Sequence, residues 1–318
     1  MHSPSPGPLS PLSIVVSGAT GLIGRPLVER LRARGHTVRR LVRSARDSQP
    51  GDIVWDPSGD QLDFHALEGT DAAIHLAGEP VAHRWTSERK LAIRESRVKG
   101  TSLLARTMAS LTRPPRVLLS GSAVGFYGNR HDEVLDESAL PGDDFLARVA
   151  RDWEAATAPA AVVGTRVALL RTGIVLSRHG GALERLLPPF QLGVGGPIGN
   201  GRQWMSWISL EDELRAIEHA LVTEAIAGPV NLVAPTPVTN ADFATTLGRV
   251  LHRPALLPVP AFALQLLYGE MAGATLLAGQ RAIPRSLLQS GFVFEHPTLE
   301  SALRAELDQE HQFAAPQL

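Results

Sequence analysis

Residues 12–24 read Leu-Ser-Ile-Val-Val-Ser-Gly-Ala-Thr-Gly-Leu-Ile-Gly, and this stretch decides the fold. Its β-branched run at 12–17 predicts a buried strand, and a helical spacing of apolar residues begins at about residue 22 and continues to 34. Three glycines, Gly18, Gly21 and Gly24, stand between the strand and the helix. Because glycine has no Cβ, such a turn lets the backbone approach a ligand closely.

A strand, a glycine-rich turn and a helix near the start of a chain predict a site for the pyrophosphate of a dinucleotide. The free N–H groups and the dipole at the helix N-terminus stabilise the phosphates. We therefore expect the cofactor to contact the turn, namely Gly18, Thr20, Gly21, Leu22, Ile23 and Gly24. The alternative interpretation is a glycine-rich turn without a ligand.

Outward from this turn, short apolar runs alternate with segments of helical period, which is typical of βαβ units around a parallel sheet. The predicted strands are 12–17, 37–42, 52–55, 72–77, 116–120 and 166–171. The helices predicted between them are about 22–34, 86–110 and 143–158. The pattern predicts an α/β fold with a Rossmann-type doubly wound parallel sheet and a cofactor-binding domain at 12–176.

Beyond residue 176 the chain changes character, because 186–207 is dense in glycine and proline and shows no clean period. We expect a loop-rich, surface-facing substrate region at 177–239 that returns partly to the first sheet, and a small, helix-rich C-terminal domain at 240–318. The elements predicted there are helices at about 210–223, 240–251, 260–268 and 297–306 and a strand near 229–233. The proline-rich residues 1–11 predict a disordered tail.

The composition excludes several classes of protein. The 31 basic and 32 acidic residues give a net charge of −1, which supplies no field for nucleic acid or an anionic membrane surface. The absence of cysteine excludes disulfides, thiolate zinc sites and cysteine nucleophiles. His75, His131 and His179 have no metal-ligand spacing, and no apolar run is long enough for a membrane helix. We predict a cytoplasmic protein without a metal.

The end of the second predicted strand favours a phosphorylated ribose. An acidic residue there binds the ribose 2′-hydroxyl of NAD, whereas an arginine accommodates the 2′-phosphate of NADP. Here Arg39 and Arg40 are followed by Arg43, Ser44 and Arg46, and the segment has no acid until Asp47. We predict NADP(H) in preference to NAD(H), bound by Arg43 and Ser44; arginines that are merely solvated are the alternative.

Small residues at the ends of two further strands leave room for the rest of the cofactor. The strand at 72–77 ends in Leu76 and Ala77, followed by Gly78, and the strand at 116–120 ends in Ser120, followed by Gly121. Ligands of open α/β sheets lie beyond such carboxyl ends, so we place these residues in the cofactor site. Tight packing of the strand ends is the other interpretation.

Four motifs, in this order, carry a family resemblance: Gly18-Ala-Thr-Gly-Leu-Ile-Gly24, His75-Leu-Ala-Gly78, Arg97-Val-Lys-Gly-Thr101 and Ser120-Gly-Ser-Ala-Val-Gly-Phe-Tyr-Gly128. They resemble the extended short-chain dehydrogenase/reductase superfamily, of the NAD-dependent epimerase/dehydratase type. Further motifs are Trp153-Glu154, Arg171-Thr-Gly-Ile-Val-Leu176, Gly201-Arg-Gln-Trp-Met-Ser-Trp-Ile208 and Gln280-Arg-Ala-Ile-Pro284. They resemble one atypical branch, the sugar-nucleotide-epimerase-like family labelled cell-division-inhibitor homologues, which carries a C-terminal domain of unknown function.

The resemblance implies a Tyr-x-x-x-Lys pair, in which the lysine lowers the pKa of the tyrosine and the phenol acts as general acid or base. This chain departs from that pattern, since neither of its two tyrosines is followed by a lysine four residues later. The expected positions fall on or near Phe145 or Leu146 and Val149 or Ala150. None of these side chains exchanges a proton, so the usual mechanism does not transfer.

Four other side chains are candidates for catalysis. Ser122 matches the superfamily serine that helps to bind the reacting oxygen, and Tyr127 lies in a loop near the cleft. Glu79 follows the Gly78 turn, where burial raises the pKa of a carboxyl group. Arg97 replaces a supporting asparagine and supplies a fixed charge for an anionic substrate or an enolate-like intermediate. The alternatives are a Tyr127 that packs its loop, a surface Glu79 and an Arg97–Glu79 ion pair.

The segment 202–207 has the most unusual composition in the chain. Arg202, Gln203, Trp204 and Trp207 offer stacking, bidentate anion binding and amide hydrogen bonds, so we predict that they bind a planar or phosphorylated substrate. Tryptophans packed in a core are the alternative. Glu211 and Asp212, which follow, are expected to cap the next helix.

These observations predict an NADP(H)-binding oxidoreductase or epimerase-like enzyme. Its substrate is expected to be a small molecule that is anionic or nucleotide-linked. The alternative is a non-catalytic sensor that binds NADP(H) and regulates a partner, which the missing tyrosine and lysine favour; the tryptophan-rich segment favours the enzyme. Neither nucleic acid nor a membrane is an expected partner, and no pattern indicates an oligomeric state.

Overall fold

The computed structural model describes residues 10–307. Its strands are β1 (Ser13–Ser17), β2 (Thr37–Val42), β3 (Ile53–Asp56), β4 (Gln61–Leu62), β5 (Ala72–His75), β6 (Val117–Ala123), β7 (Val134–Leu135), β8 (Arg166–Thr172), β9 (Ile174–Leu176), β10 (Trp204–Met205), β11 (Trp207–Ser209), β12 (Gly228–Leu232), β13 (Val238–Thr239) and β14 (Arg281–Ala282). Residues 1–9 of the predicted tail and 308–318 of the predicted C-terminal domain lie outside this description.

The α-helices are α1 (Gly24–Ala33), α2 (Ser87–Ala109), α3 (Phe145–Ala155), α4 (Ala158–Val162), α5 (Gly181–Gln191), α6 (Leu210–Val222), α7 (Asn240–Val250), α8 (Ala261–Tyr268), α9 (Arg285–Gln289) and α10 (Leu299–Leu307). A π-helical turn spans Ala272–Leu276, and short 3-10 turns span Ala45–Asp47, His65–Leu67 and Val124–Tyr127. Within residues 10–307, no helix is both long and apolar enough to cross a membrane.

Eight strands form the central sheet in the order β12-β8-β6-β5-β1-β2-β3-β4. All neighbours are parallel except β3 and β4, which confirms the predicted doubly wound parallel sheet. The chain runs from β1 outward through β2 and β3, and then returns to build β5, β6 and β8 on the other side of β1. The order therefore reverses between β1 and β5, and open α/β sheets bind ligands beyond the carboxyl ends at such a point.

Strand residues alternate between two apolar layers, as the period of two predicts. Ile14 and Val16 face one layer, which contains Leu27 of α1 and Ile217 of α6. Val15 faces the other layer, which contains residues of α2 and α4. Both faces of the sheet are thus covered, so the strands are apolar almost throughout.

We expected a loop-rich surface region at 177–239, and this was wrong for residues 181–191 and for Trp207. Residues 181–191 form α5, because Leu183, Leu186, Leu187 and Phe190 follow the helical spacing i, i+3, i+4, i+7 and pack in a third apolar cluster with α7 and α10. Pro188 and Pro189 stand inside this helix and concealed its period in the sequence. The second part is Trp207, which is fully buried in the same cluster.

Candidate functional site

The glycine turn between β1 and α1 has a backbone that larger residues do not fit. Gly18 has a φ of +68°, and a Cβ there would lie 2.7 Å from the carbonyl carbon of Leu76. A Cβ on Gly24 would lie 2.1 Å from the carbonyl oxygen of Gly18. The N-cap residue, Ile23, provides no side-chain cap, and the first turn of α1 has no acid. Its N–H groups are therefore suited to an anionic group.

A buried hydrogen bond joins this turn to the end of β5. Ser17 and His75 stand opposite each other at the ends of β1 and β5, with 2.6 Å between Oγ and Nδ1. Ser17 Oγ also accepts the N–H groups of Leu76 and Ala77, at 3.2 and 3.3 Å, so its own hydroxyl donates to His75. Burial lowers the pKa of His75 to about 4, which keeps the ring neutral. The sequence analysis missed this pair, although both residues end adjacent strands.

The other predicted cofactor residues lie along the same edge of the sheet. Thr20 and Gly21 are exposed, and Gly78, directly beyond β5, is exposed as well. Ser120 of β6 stands opposite His75 of β5, and a Cβ on Gly121 would lie 2.9 Å from the ring of Trp153. The structure thus brings the glycine turn and the ends of β5 and β6 together around the strand-order reversal.

The arginines after β2 differ in their partners. Arg39 donates to groups of the segment 66–70, and Arg40 pairs with the Asp52 carboxylate. Arg43 is exposed, and its side chain has no hydrogen-bond or ion-pair partner within residues 10–307. Ser44 Oγ accepts the N–H of Arg46, 3.1 Å away, and so shapes the turn that carries Arg43. The guanidinium of Arg43 can therefore meet an anion.

Two predicted catalytic residues belong instead to a buried chain of hydrogen bonds, here termed the polar network: Ser122, Glu154, Arg171, Tyr127 and Asn231. Ser122 Oγ donates to Glu154 Oε1 at 2.6 Å, and Arg171 donates to both oxygens of Glu154 at 2.8 and 2.9 Å. Arg171 also donates to the Tyr127 hydroxyl at 3.1 Å. That hydroxyl in turn donates to Asn231 Oδ1 at 2.7 Å.

The placement of Tyr127 favours packing over proton transfer. Its side chain is fully buried, burial raises its pKa, and the hydroxyl proton is engaged with Asn231. The idea that Tyr127 reaches the cleft is therefore corrected: its ring lies among the buried side chains under the 3-10 turn at 124–127. Ser122 likewise points its hydroxyl at Glu154 and away from solvent.

Glu79 and Arg97 do not form the ion pair considered as an alternative. The Glu79 carboxylate pairs with Arg89 at 2.6 Å and is partly exposed. Arg97 Nη1 donates to the backbone carbonyl oxygens of Glu79 and Ile93, each at 3.0 Å. Burial lowers the pKa of Arg97 to about 10, so the guanidinium stays charged at neutral pH.

Helices α2 and α3 meet along a seam where the superfamily pair would stand. Lys90 lies 4.6 Å from the centre of the Phe145 ring, and Arg97 lies 5.1 Å from that of Trp153. Ile93 and Val149 pack together between these two contacts. The seam therefore has cations over aromatic rings at both ends and apolar packing in the middle.

An open cleft of about 580 Å³ lies beside the start of α3. It is lined by Asn129, Asp144, Phe145, Gln265, Gly269, Glu270, Gly273, Ala274 and Ala278. Its two walls come from residues 129–145 and 265–278, and Glu270 of the second wall forms an ion pair of 2.8 Å with Lys90 of α2. The π-helical turn borders the cleft, and such turns are frequent at functional sites. The sequence analysis did not find this cleft.

The predicted substrate residues of 202–207 are placed in several environments. Trp207 is fully buried and donates to the carbonyl oxygen of Thr236, which favours the core alternative. Gln203 donates to the carbonyl oxygens of Ile198 and Leu276, so it fastens this segment to the π-helical turn. Trp204 donates to Asp132 at 2.7 Å and stacks under Arg281, while Arg202 is exposed.

Glu211 and Asp212 lie in the first turn of α6, but Ser209 provides its N-cap. Asp212 is fully buried and accepts the N–H groups of Glu295 and His296, which ties the C-terminal segment to the sheet domain. No group of three or more His, Asp or Glu side chains in the described ranges is arranged to hold a metal ion.

The parallel sheet, the glycine turn and the open strand ends define a dinucleotide-binding α/β protein. The NAD dependent epimerase/dehydratase family matches residues 14–232, and the chain belongs to this family. A domain of unknown function (DUF1731) matches residues 259–306. The predicted superfamily and C-terminal domain are thus confirmed, while the cell-division-inhibitor label stays a prediction.

Relatives share most of the chain. It is 45% identical over 291 residues to Epimerase family protein Mb2239 of Mycobacterium bovis, covering 91% of this chain and 96% of that protein. It is 38% identical over 299 residues to Epimerase family protein SDR39U1 of Homo sapiens, covering 92% and 99%. The crystal structure of human SDR39U1 (isoform 2) with NADPH has a TM-score of 0.84 at 35% identity, covering 93% and 99% of the two chains.

Proposed function

We propose that this protein is an NADP(H)-dependent oxidoreductase or epimerase-like enzyme of the cytoplasm, acting on a small anionic or nucleotide-linked molecule. One observation carries the proposal: the Ser17–His75 bond clamps the glycine turn to β5 beside open strand ends. The turn is closed to a Cβ at Gly18 and Gly24, and the uncapped start of α1 leaves donors for a pyrophosphate. The residues present therefore fit a dinucleotide.

The preference for NADP(H) is a further part of the proposal and rests on Arg43. It is an exposed cation of the turn after β2 with no side-chain partner within residues 10–307, and the ribose 2′-phosphate would be bound at this place. Human SDR39U1, which is 35% identical, was crystallised with NADPH. When bound, the nicotinamide supplies hydride transfer.

The protein's own contribution to the chemistry is electrostatic. Phe145, Leu146, Val149 and Ala150 carry no exchangeable side-chain proton, and Tyr127 is committed to the polar network. Arg97 has a permanent charge at the end of β5 and can stabilise a developing oxyanion or hold an anionic group. The open cleft at Phe145 offers the space for the rest of a substrate.

Thermal denaturation with each nucleotide tests the cofactor assignment. We expect NADPH to raise Tm more than NADH does. Arg43→Ala should weaken NADPH binding about tenfold through the loss of a charge-assisted contact, and leave NADH binding unchanged. Arg46→Ala, the other exposed arginine of the same turn, shows whether the preference depends on Arg43 in particular. Equal stabilisation of the wild type by NADPH and NADH would contradict the NADP(H) preference.

The absorbance of the reduced nicotinamide and the conversion of the substrate together separate the enzyme from the sensor. With a panel of carbonyl compounds and nucleotide sugars, an oxidoreductase consumes NADPH in proportion to an added substrate, whereas an epimerase-like enzyme returns the hydride and converts its substrate without net consumption. The sensor alternative predicts tight binding of NADPH with neither consumption nor conversion across the whole panel.

A further inference from the structure

The guanidinium of Arg97 has one free edge. Nη1 donates to the carbonyl oxygens of Glu79 and Ile93, each 3.0 Å away. Nε and Nη2 have no hydrogen-bond acceptor in the part of the chain that the structure describes. These two nitrogens carry parallel N–H groups on the same side of the planar group.

The same guanidinium packs against two neighbours. Its Cζ lies 5.1 Å from the centre of the Trp153 ring. Gly78 is close as well, because a Cβ there would be 3.1 Å from Cζ, 3.2 Å from Nη2 and 3.4 Å from Nε. These contacts restrict the orientation of the side chain, and the Nε–Nη2 edge carries the N–H groups that remain for a ligand.

The charge of Arg97 is not neutralised by a carboxylate in contact with it. The Glu79 carboxylate pairs with Arg89 at 2.6 Å, and only the backbone carbonyl oxygen of Glu79 accepts a hydrogen bond from Arg97. A largely buried cation without an anionic partner is costly, and an incoming anion removes that cost. The site is thus prepared for one negative charge.

We propose that the Nε–Nη2 edge of Arg97 binds a carboxylate group of the substrate. The two parallel N–H groups match the spacing of two carboxylate oxygens and form a bidentate contact. This inference rests on the proposed function, since it names the substrate class of the same site beside Gly78. It would also make Arg97 a residue that touches substrate.

A carboxylate fits better than a phosphate, which offers the same pair of oxygens. The edge supplies one positive charge, and the other cation nearby, Arg89, is already paired with Glu79. A phosphate carries close to two negative charges at neutral pH and would leave part of its charge without a partner at this site. Inorganic phosphate is therefore the appropriate competitor in the test.

Isothermal titration with formate, acetate and benzoate, in the presence and absence of NADPH, tests the proposal. We expect saturable binding of at least one of these carboxylates, weakened about tenfold or more by Arg97→Gln, and less by Arg97→Lys, which keeps the charge but loses the bidentate edge. Benzamide, which lacks the charge, should not bind detectably. Arg94→Gln, on the same helix in a half-exposed ion pair with Asp152, should bind as the wild type does.

Three results of the anion titrations would overturn the proposal. They are the absence of saturable binding by all three carboxylates, equal binding by Arg97→Gln and the wild type, and tighter binding of inorganic phosphate than of any carboxylate. A loss of NADPH affinity in Arg97→Gln would assign the edge to the cofactor and would also overturn it. The proposed function fails by a different result, namely a wild type that binds a carboxylate and no NADPH.

Discussion

Two arginines near the carboxyl end of the sheet, Arg171 and Arg97, are held in opposite ways. Arg171 is buried, and its guanidinium is shared between the Glu154 carboxylate and the Tyr127 hydroxyl. Arg97 is held by two backbone carbonyls and keeps an open edge beside Gly78. A buried charge with a complete set of partners supports the fold, whereas one with an open edge is available to a ligand.

The same comparison explains why two residues that were predicted to be catalytic, Ser122 and Tyr127, are structural. Ser122 and Tyr127 keep the residue types of a catalytic site, but the polar network takes up their hydroxyl groups. Glu154, the acid that holds Ser122, stands on α3 two turns after the position of the missing tyrosine. The helix that carries the catalytic pair elsewhere therefore carries a structural acid in this protein.

The largest expected effect is on stability, from Arg171→Met. The change leaves the Glu154 carboxylate buried with only Ser122 as a donor, and removing one member of a buried ion pair costs about 3–5 kcal/mol. The measurement is the free energy of unfolding in urea. Arg94→Met is the control, because its pair with Asp152 is half exposed and should contribute about 0–1 kcal/mol. Equal losses of unfolding free energy in the two variants would contradict the distinction between the buried and the half-exposed ion pair.

A second buried carboxyl group, Glu213, has no cationic partner among residues 10–307 and should respond to pH. Within that range the Thr172 hydroxyl is its one hydrogen-bond donor, and burial raises its pKa to about 8. The folded state therefore keeps a proton that the unfolded state loses above its ordinary pKa. Stability is full at low pH and falls by up to about 1.4 kcal/mol per pH unit as the pH rises towards 8.

Glu213→Gln tests this, because glutamine keeps the shape and cannot ionise. The variant should lose most of the decline in unfolding free energy between pH 5 and pH 8. An identical pH dependence in the variant and the wild type would show that Glu213 is not the titrating group. Glu154→Gln is not a suitable control, since it breaks the ion pair with Arg171.

A smaller loss is expected from Tyr127→Phe. The change removes the hydroxyl between Arg171 and Asn231 and leaves both without that partner, at a cost of about 1–3 kcal/mol. NADPH affinity should be unchanged, because the side chain is fully buried in the polar network. Retained stability together with a loss of NADPH-dependent activity would return Tyr127 to a catalytic role.

The smallest effect on stability is expected from Arg97→Gln. Its contacts to the backbone carbonyls of Glu79 and Ile93 are few, and the removal of an unneutralised charge offsets their loss, so the change should be below about 1 kcal/mol. The urea unfolding curve measures it. A loss comparable to that of Arg171→Met would show that Arg97 supports the fold in the same way.

Local patterns predicted the central sheet and the strand–turn–helix at its start well. The β-branched runs and the glycine turn at 18–24 depend on neighbours close in sequence, and each predicted strand of the first domain is present. The polar network could not be predicted in this way, because its members come from β6, the 3-10 turn at 124–127, α3, β8 and β12 and meet only when the sheet is assembled.

The open cleft was missed for a related reason. Its walls come from the beginning of α3 and from the C-terminal segment near Glu270, which are more than a hundred residues apart in the chain. Trp207 led to the opposite error, because it was predicted to bind substrate and is fully buried. A tryptophan in a glycine-rich segment resembles a binding residue until its burial is known. Composition indicates which residues are unusual, and only the packing shows whether they face solvent.

The central claim is that the backbone of the glycine turn holds NADPH, and a fluorescence titration of NADPH tests it most directly. The comparison is between Gly24→Ala, whose Cβ would lie 2.1 Å from the carbonyl oxygen of Gly18, and Gly35→Ala, which has open space around it at the other end of α1. Both changes are expected to reduce stability. We expect Gly24→Ala to lose NADPH binding and Gly35→Ala to retain wild-type affinity. Wild-type affinity in a folded Gly24→Ala would contradict it.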